Sequence, residues 1–288
     1  MFYLQILANG LVLGGLYACI ASGFSLVWGV LNIINMMHGS FIVLGAYLAY
    51  FAYAKAGIHP LLSILIAIPA FFAMGYGLQR SVINRIIAAP VLLTLTLTFG
   101  LDLMLQNAMV FGFSADFKEL VLNPPLGTIA FGQVVLPVDR LAAMALALGL
   151  MALLYLVLSR SRIGRAIVAV RMDREAASLM GVNVSRIYAI TFGLGAAMAG
   201  ASGALMATIF PISPLGGSSY LGKAFVVCVL GGLGSVPGAM LGGLALGVVE
   251  SFGALWVGPE QAGTVAFVLL IVMLLVRPQG LLGRKGYE

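Results

Sequence analysis

No Lys, Arg, Asp or Glu occurs before Lys55, so the chain opens with 54 residues that carry no formal charge. Further uncharged runs cover 56–79, 141–159, 187–222, 224–249 and 261–276. A helix needs about 20 apolar residues to cross a bilayer, so these runs hold one or two spans each. Backbone amides in lipid must bond within their own segment, and no stretch alternates as a barrel strand does, so the spans are helices. Composition points the same way. Only 8% of the 288 residues are charged, against roughly 25% in soluble domains, so the chain cannot clothe a water-facing surface.

The sequence predicts an all-α, polytopic transmembrane bundle forming one domain over 1–288. Expected spans are 5–27, 37–54, 61–78, 91–111, 140–158, 187–209, 221–234, 237–257 and 261–276. The seventh is short and runs into "GGLGSVPG", which suits a half-helix or a re-entrant segment, so eight or nine segments are expected. The N-terminus has no basic region and no small-residue cleavage site, so it reads as a retained first helix. Cys19 and Cys228 lie alone in apolar runs and fit neither a disulfide nor a metal site. Gly10/Gly14, Gly238/Gly242 and Gly243/Gly247 have the spacing that lets helix backbones approach closely.

The net charge of +6 reflects topology and not nucleic acid, because the basic residues sit at span ends. Arg80 and Arg85 follow the third span, Arg160 to Arg186 the fifth, and Arg277, Arg284 and Lys285 the last. The positive-inside rule makes that face cytoplasmic, with the N-terminus outside and the C-terminus inside. The loop 112–139, with Asp116, Lys118, Glu119, Pro124, Pro125 and Pro137, falls on the exterior.

Few motifs offer chemistry. "GSSYLGKA" (217–224) approaches a phosphate loop, but Ala224 replaces the magnesium-binding hydroxyl and no strand precedes it. "NVS" at 183–185 supplies N-cap candidates in Asn183 and Ser185 and not a glycosylation acceptor. Only two histidines are present and no hydrolase motif occurs, so no catalytic residue, metal or cofactor is expected. Thr94, Thr96 and Thr98 alternate and so spread around a helix, leaving no single polar stripe. Asn35 and His38 between the first two spans, Asp102 in the fourth and Glu250 in the eighth are candidates for a translocation pathway, since polar groups are costly in lipid. For His38, a packing role beside Gly39 satisfies the same argument.

The loop at about 160–186 is different. Seven charged residues crowd "RIGRAIVAVRMDREAASLMGVNVSRI" (162–187), five of them arginines. Within it, 173–181 reads as a short helix: Asp173 as N-cap, Glu175 in the first turn, and Gly181 as a left-handed stop. Ala176, Leu179 and Met180 give it a small apolar face that needs a partner.

Glu175-Ala176-Ala177 followed by Gly181 resembles the E-A-A-x-x-x-G loop of ATP-binding-cassette importer permeases, although the proline downstream in that family is absent from "AITFG" (189–193). "GLYACIASGFSLVWGVLNIINMMHGSFIVLGAY" (15–47), "VLGGLGSVPGAMLGGLALGVVES" (229–251) and "VRPQGLLG" (276–283) are similar to LivH-type permeases of branched-chain amino acid importers. That resemblance implies a bacterial inner-membrane subunit that translocates amino acids delivered by a periplasmic solute-binding protein. It also implies a LivM-like second permease and two ATPase subunits docked on the coupling helix. The competing class is an ion-coupled secondary transporter or channel, which would need a coupling-ion site of its own.

Overall fold

The computed structural model describes residues 2–87, 89–122, 127–131, 134–258, 261–277 and 279–282. Its helices are α1 (Phe2–Leu31), α2 (His38–Ala56), α3 (Ile64–Ser81), α4 (Val91–Phe113), α5 (Val138–Arg160), α6 (Arg162–Met172), α7 (Arg174–Leu179), α8 (Val184–Met206), α9 (Gly217–Gly231), α10 (Val236–Val257) and α11 (Ala262–Val276). Nine of these correspond to the nine expected membrane segments, and 6 are long and apolar enough to cross unaided. At 15 residues, α9 rises only about 22 Å, short of a hydrocarbon core of about 30 Å. It is the half-helix expected near 221–234.

Two helices form the centre. The apolar windows of α1 and α8 are each 89% buried, against 17% for α4 and 22% for α5. α8 packs on α1, α2 and α3, and α1 on α5, α8, α9 and α10. The contacts are made by small residues. Gly10 and Gly14 of α1 face the Gly243/Gly247 stretch of α10, and a Cβ added at Gly14 would lie 2.7 Å from Leu244 Cα. Gly238 and Gly242 face α9, and Gly45 of α2 meets the Gly200 carbonyl of α8. All three spaced glycine pairs therefore lie in helix contacts.

The ends of the bundle sort the loops. At one end, the Gln5 side chain donates to the Val135 carbonyl (2.9 Å) and accepts from its amide (2.8 Å). Lys118 and Ile212 exchange backbone hydrogen bonds there. At the other end Asn84 reaches Ser185, Gly234 lies beside Gly29 and Arg171, and the amides of Leu281 and Leu282 bond to Leu230 and Gly231. The described arginines of 80–85, 160–186 and 277 thus share one end, as their spacing predicts. Arg284 and Lys285 lie outside the described residues, as do Pro124 and Pro125.

Two local features depart from expectation. The loop 112–139 contains a β-hairpin, β1 (Thr128–Phe131) paired with β2 (Val134–Pro137), so the fold is helical except for this ribbon. Four-residue strands are too short to announce themselves by alternation. The loop 160–186 carries two helices and not one, since α6 precedes the expected short helix.

Substituting Gly14 with Leu should force α1 and α10 apart and destabilise the bundle by about 1–3 kcal/mol. Gly100 on α4 has open space around it, so Gly100→Ala should be neutral or stabilising. Thermal unfolding in detergent distinguishes the two; equal melting for both variants would contradict close packing at Gly14.

Candidate coupling loop and translocation pathway

The α6–α7 segment is built by caps. Ser161 accepts from the Gly164 amide (2.8 Å) and starts α6, an amphipathic helix that buries Ile167 and Val170. Asp173 ends α6 and caps α7, accepting from the amides of Glu175 (2.8 Å) and Ala176 (3.0 Å). Gly181 closes the motif at φ 83° with nothing near its Cβ position, so backbone conformation and not space requires glycine there. Only Ala177 of α7 is buried, whereas Leu179 is 88% and Met180 85% exposed. Glu175 and Ala176 are exposed as well. Ala176, Leu179 and Met180 of the expected apolar face are thus left uncovered by the described residues. Asn183 caps α8 through the Arg186 amide (3.0 Å), but Ser185 instead accepts from Asn84 Nδ2 (2.7 Å).

The candidate pathway residues fall into two separate clusters. The first surrounds the break between α1 and α2. Asn32 takes φ 53°, a left-handed conformation that Asn tolerates and that ends α1. The chain then folds back, so that α2 begins beside Ile20 while α1 continues to Leu31: His38 Nε2 donates to the Ile20 carbonyl (2.9 Å). The His38 ring also meets Phe24 edge-on at 5.5 Å. These two contacts pack the ring against α1, while its Nδ1 is buried with no hydrogen-bond partner among the described residues. At the second residue after it, Ser40 donates a short hydrogen bond to Asp102 of α4, and Gln106 donates to the other Asp102 oxygen (2.7 Å). Thr98 donates to the Ile34 carbonyl (2.8 Å). Thr94, Thr98 and Asp102 are buried at intervals of one helical turn, so α4 does turn a polar stripe inward, though not the alternating one weighed from the sequence. Asn35 is 1% exposed, and neither its amide nitrogen nor its oxygen has a partner among the described residues.

The second cluster joins three helices. Lys223 of α9 bonds Glu250 of α10 (2.6 Å) and the Tyr17 hydroxyl of α1 (2.7 Å), with its ammonium 4.8 Å from the Tyr17 ring centre. Lys223 is the lysine of the near phosphate loop. Here it lies on a membrane helix and its charge is committed to Glu250. The sequence signal was its isolation between two long uncharged runs; its partner could not be read because α9 and α10 are neighbours only in space.

Residues 6–276 match the family model described as "Branched-chain amino acid transport system / permease component". The chain belongs to this permease family. It is 38% identical to the high-affinity branched-chain amino acid transport permease BraD of Pseudomonas aeruginosa, over 99% of this chain and 97% of that protein. It is 33% identical to LivH of Escherichia coli K12, covering 100% of this chain and 98% of LivH. LivM of the same organism is 28% identical over 93% of this chain and 68% of its own length. No solved structure gives a significant match.

In this permease the Lys223–Glu250 bridge ties the short helix α9 to α10. Both side chains are part-buried, so removing one partner strands a partly desolvated charge and costs less than the about 3–5 kcal/mol of a fully buried pair, whereas replacing both with apolar residues is often neutral. Glu250→Gln should therefore lower stability markedly, and Lys223→Met with Glu250→Met should recover most of it. Chemical unfolding checks this; a double variant as unstable as the single one would contradict it.

Proposed function

We propose that this permease is the membrane subunit of an ATP-driven importer of branched-chain aliphatic amino acids. The observation that carries the reading is α7: a capped helix outside the bilayer where Leu179 and the C-cap residue Met180 are covered by none of the described residues. An ATPase subunit supplies that cover. The partners proposed with it are a second, LivM-like permease, two ATPases and an external solute-binding protein, in a bacterial inner membrane; that the relatives are permeases of amino acid transport systems supports this set. The arginine-rich end faces the cytoplasm under the positive-inside rule, which puts the N-terminus outside.

The mechanics run through packing. Closure of the ATPases pushes α7 along the bilayer normal. α7 is joined to α6 through the Asp173 cap, and α6 carries Arg171 against Gly234, in the turn between α9 and α10. Movement of the loop thus reaches the half-helix α9 and the helices packed on it, rocking the bundle between outward- and inward-open states. The permease does no covalent chemistry. Asn35 and Asp102 at the α1–α2 break face the path, because a buried amide without a partner is costly unless a polar guest satisfies it. His38 and Glu250 hold helices together beside it.

The ion-coupled alternative has less to work with. Glu250 is neutralised by Lys223, and both oxygens of Asp102 are already engaged by the Ser40 hydroxyl and the Gln106 amide.

Glu175→Lys and Gly181→Val should each lower ATP-dependent uptake by about tenfold and weaken recovery of the ATPase, with the melting of the bundle unchanged. Wild-type uptake and complex recovery in both variants would remove α7 from the mechanism. Reconstituted alone, the chain should not accumulate leucine under a proton or sodium gradient; accumulation would support the secondary-transporter reading.

A further inference from the structure

We propose that the recess between the end of α3 and the start of α8 binds a phosphate-bearing anion, supplied by the headgroup of an anionic phospholipid. The recess has a volume of about 430 Å³ and is lined by Tyr76, Arg80, Asn183, Ser185, Arg186 and Ala189. Two exposed arginines line it, and neither is paired with a carboxylate among the described residues. Arg80 donates only a long hydrogen bond to the Tyr76 hydroxyl (3.3 Å).

Arg186 lies in the first turn of α8, where no acidic residue offsets it. A cation there meets the positive end of the helix dipole and a second cation across the recess, so the empty site is electrostatically unfavourable. A bound anion reverses both terms. Guanidinium groups match phosphate oxygens in geometry as well as charge.

The two walls are held in register without help from a ligand. Buried Gln79 donates to Asn84 Oδ1 (2.9 Å), and Asn84 donates to Ser185 Oγ (2.7 Å), which ties the end of α3 to the start of α8. These helices leave the membrane at this point, where lipid phosphates lie. The apolar window of α3 is only 28% buried, so acyl chains have an apolar flank to follow below the headgroup.

The test uses the full-length chain purified in neutral detergent. Dioctanoyl phosphatidylglycerol, dioctanoyl phosphatidylcholine and inorganic phosphate serve as probes, read by native mass spectrometry and by shift in melting temperature. Wild-type protein should retain phosphatidylglycerol in preference to phosphatidylcholine. Arg80→Gln and Arg186→Gln should each weaken retention by about tenfold. Arg160→Gln, which removes an exposed charge at the end of α5, should leave it unchanged.

Equal retention by wild type and the Arg80/Arg186 double variant overturns the proposal. So does an equal loss in Arg160→Gln, which would mean a diffuse charge effect. Inorganic phosphate binding as tightly as the lipid would assign the site to free phosphate and remove the headgroup. Unchanged lipid retention with loss of a co-purified ATPase would make the recess a protein contact. Because the readout is lipid retention and not transport, failure here is distinguishable from failure of the importer reading.

Discussion

Lipid gives helices no hydrophobic reason to associate, so a bundle in a membrane depends on how closely its backbones can approach. In this protein that approach is concentrated on α1 and α8. Glycine and alanine line their contacts, and a side chain at Gly14, Gly45 or Gly203 would collide with backbone of the next helix. The two central helices have polar and apolar faces only in a weak sense, because they are covered all round. Everything else is arranged on them: α3 and α2 against α8, α10 and α9 against α1.

Charge is used sparingly and each use is constrained. Within the apolar part of the bundle, Lys223 and Glu250 neutralise one another, and Asp102 is held by two hydrogen-bond donors. The remaining cations gather mostly at one end. In the proposed assembly, the loop of α6 and α7 is where this chain meets its ATPase, and side-chain caps limit the loop's freedom. Asp173 performs two jobs there, stopping α6 and starting α7. Rigidity matters because a floppy loop would absorb a push without transmitting it.

Much of this could be read from residue order. Uncharged runs located the nine membrane segments to within a few residues, and Asp173, Glu175 and Gly181 located the short exposed helix because capping is a local property. What could not be read involves neighbours in space. The partner of Glu250 could not be named because its lysine is on another helix, and the contact of Asp102 with Ser40 depends on where α2 starts. The stripe of Thr94, Thr98 and Asp102 is hidden among other apolar and hydroxyl residues on α4, where lipid and protein faces differ little in hydrophobicity. α6 was missed for a different reason: its arginines suggested a loop, although Ile167 and Val170 lie on one face.

The central claim is that the uncovered face of α7 is covered by an ATPase. In a background lacking Cys19 and Cys228, a single cysteine replacing Leu179 should cross-link to a cysteine on the co-expressed ATPase subunit, while a cysteine replacing Leu92, on the membrane helix α4 (77% exposed), should not. The yield at position 179 should change when ATP is bound. A cysteine there that forms no cross-link in any nucleotide state, yet reacts freely with a small water-soluble thiol reagent in the assembled transporter, would contradict the account.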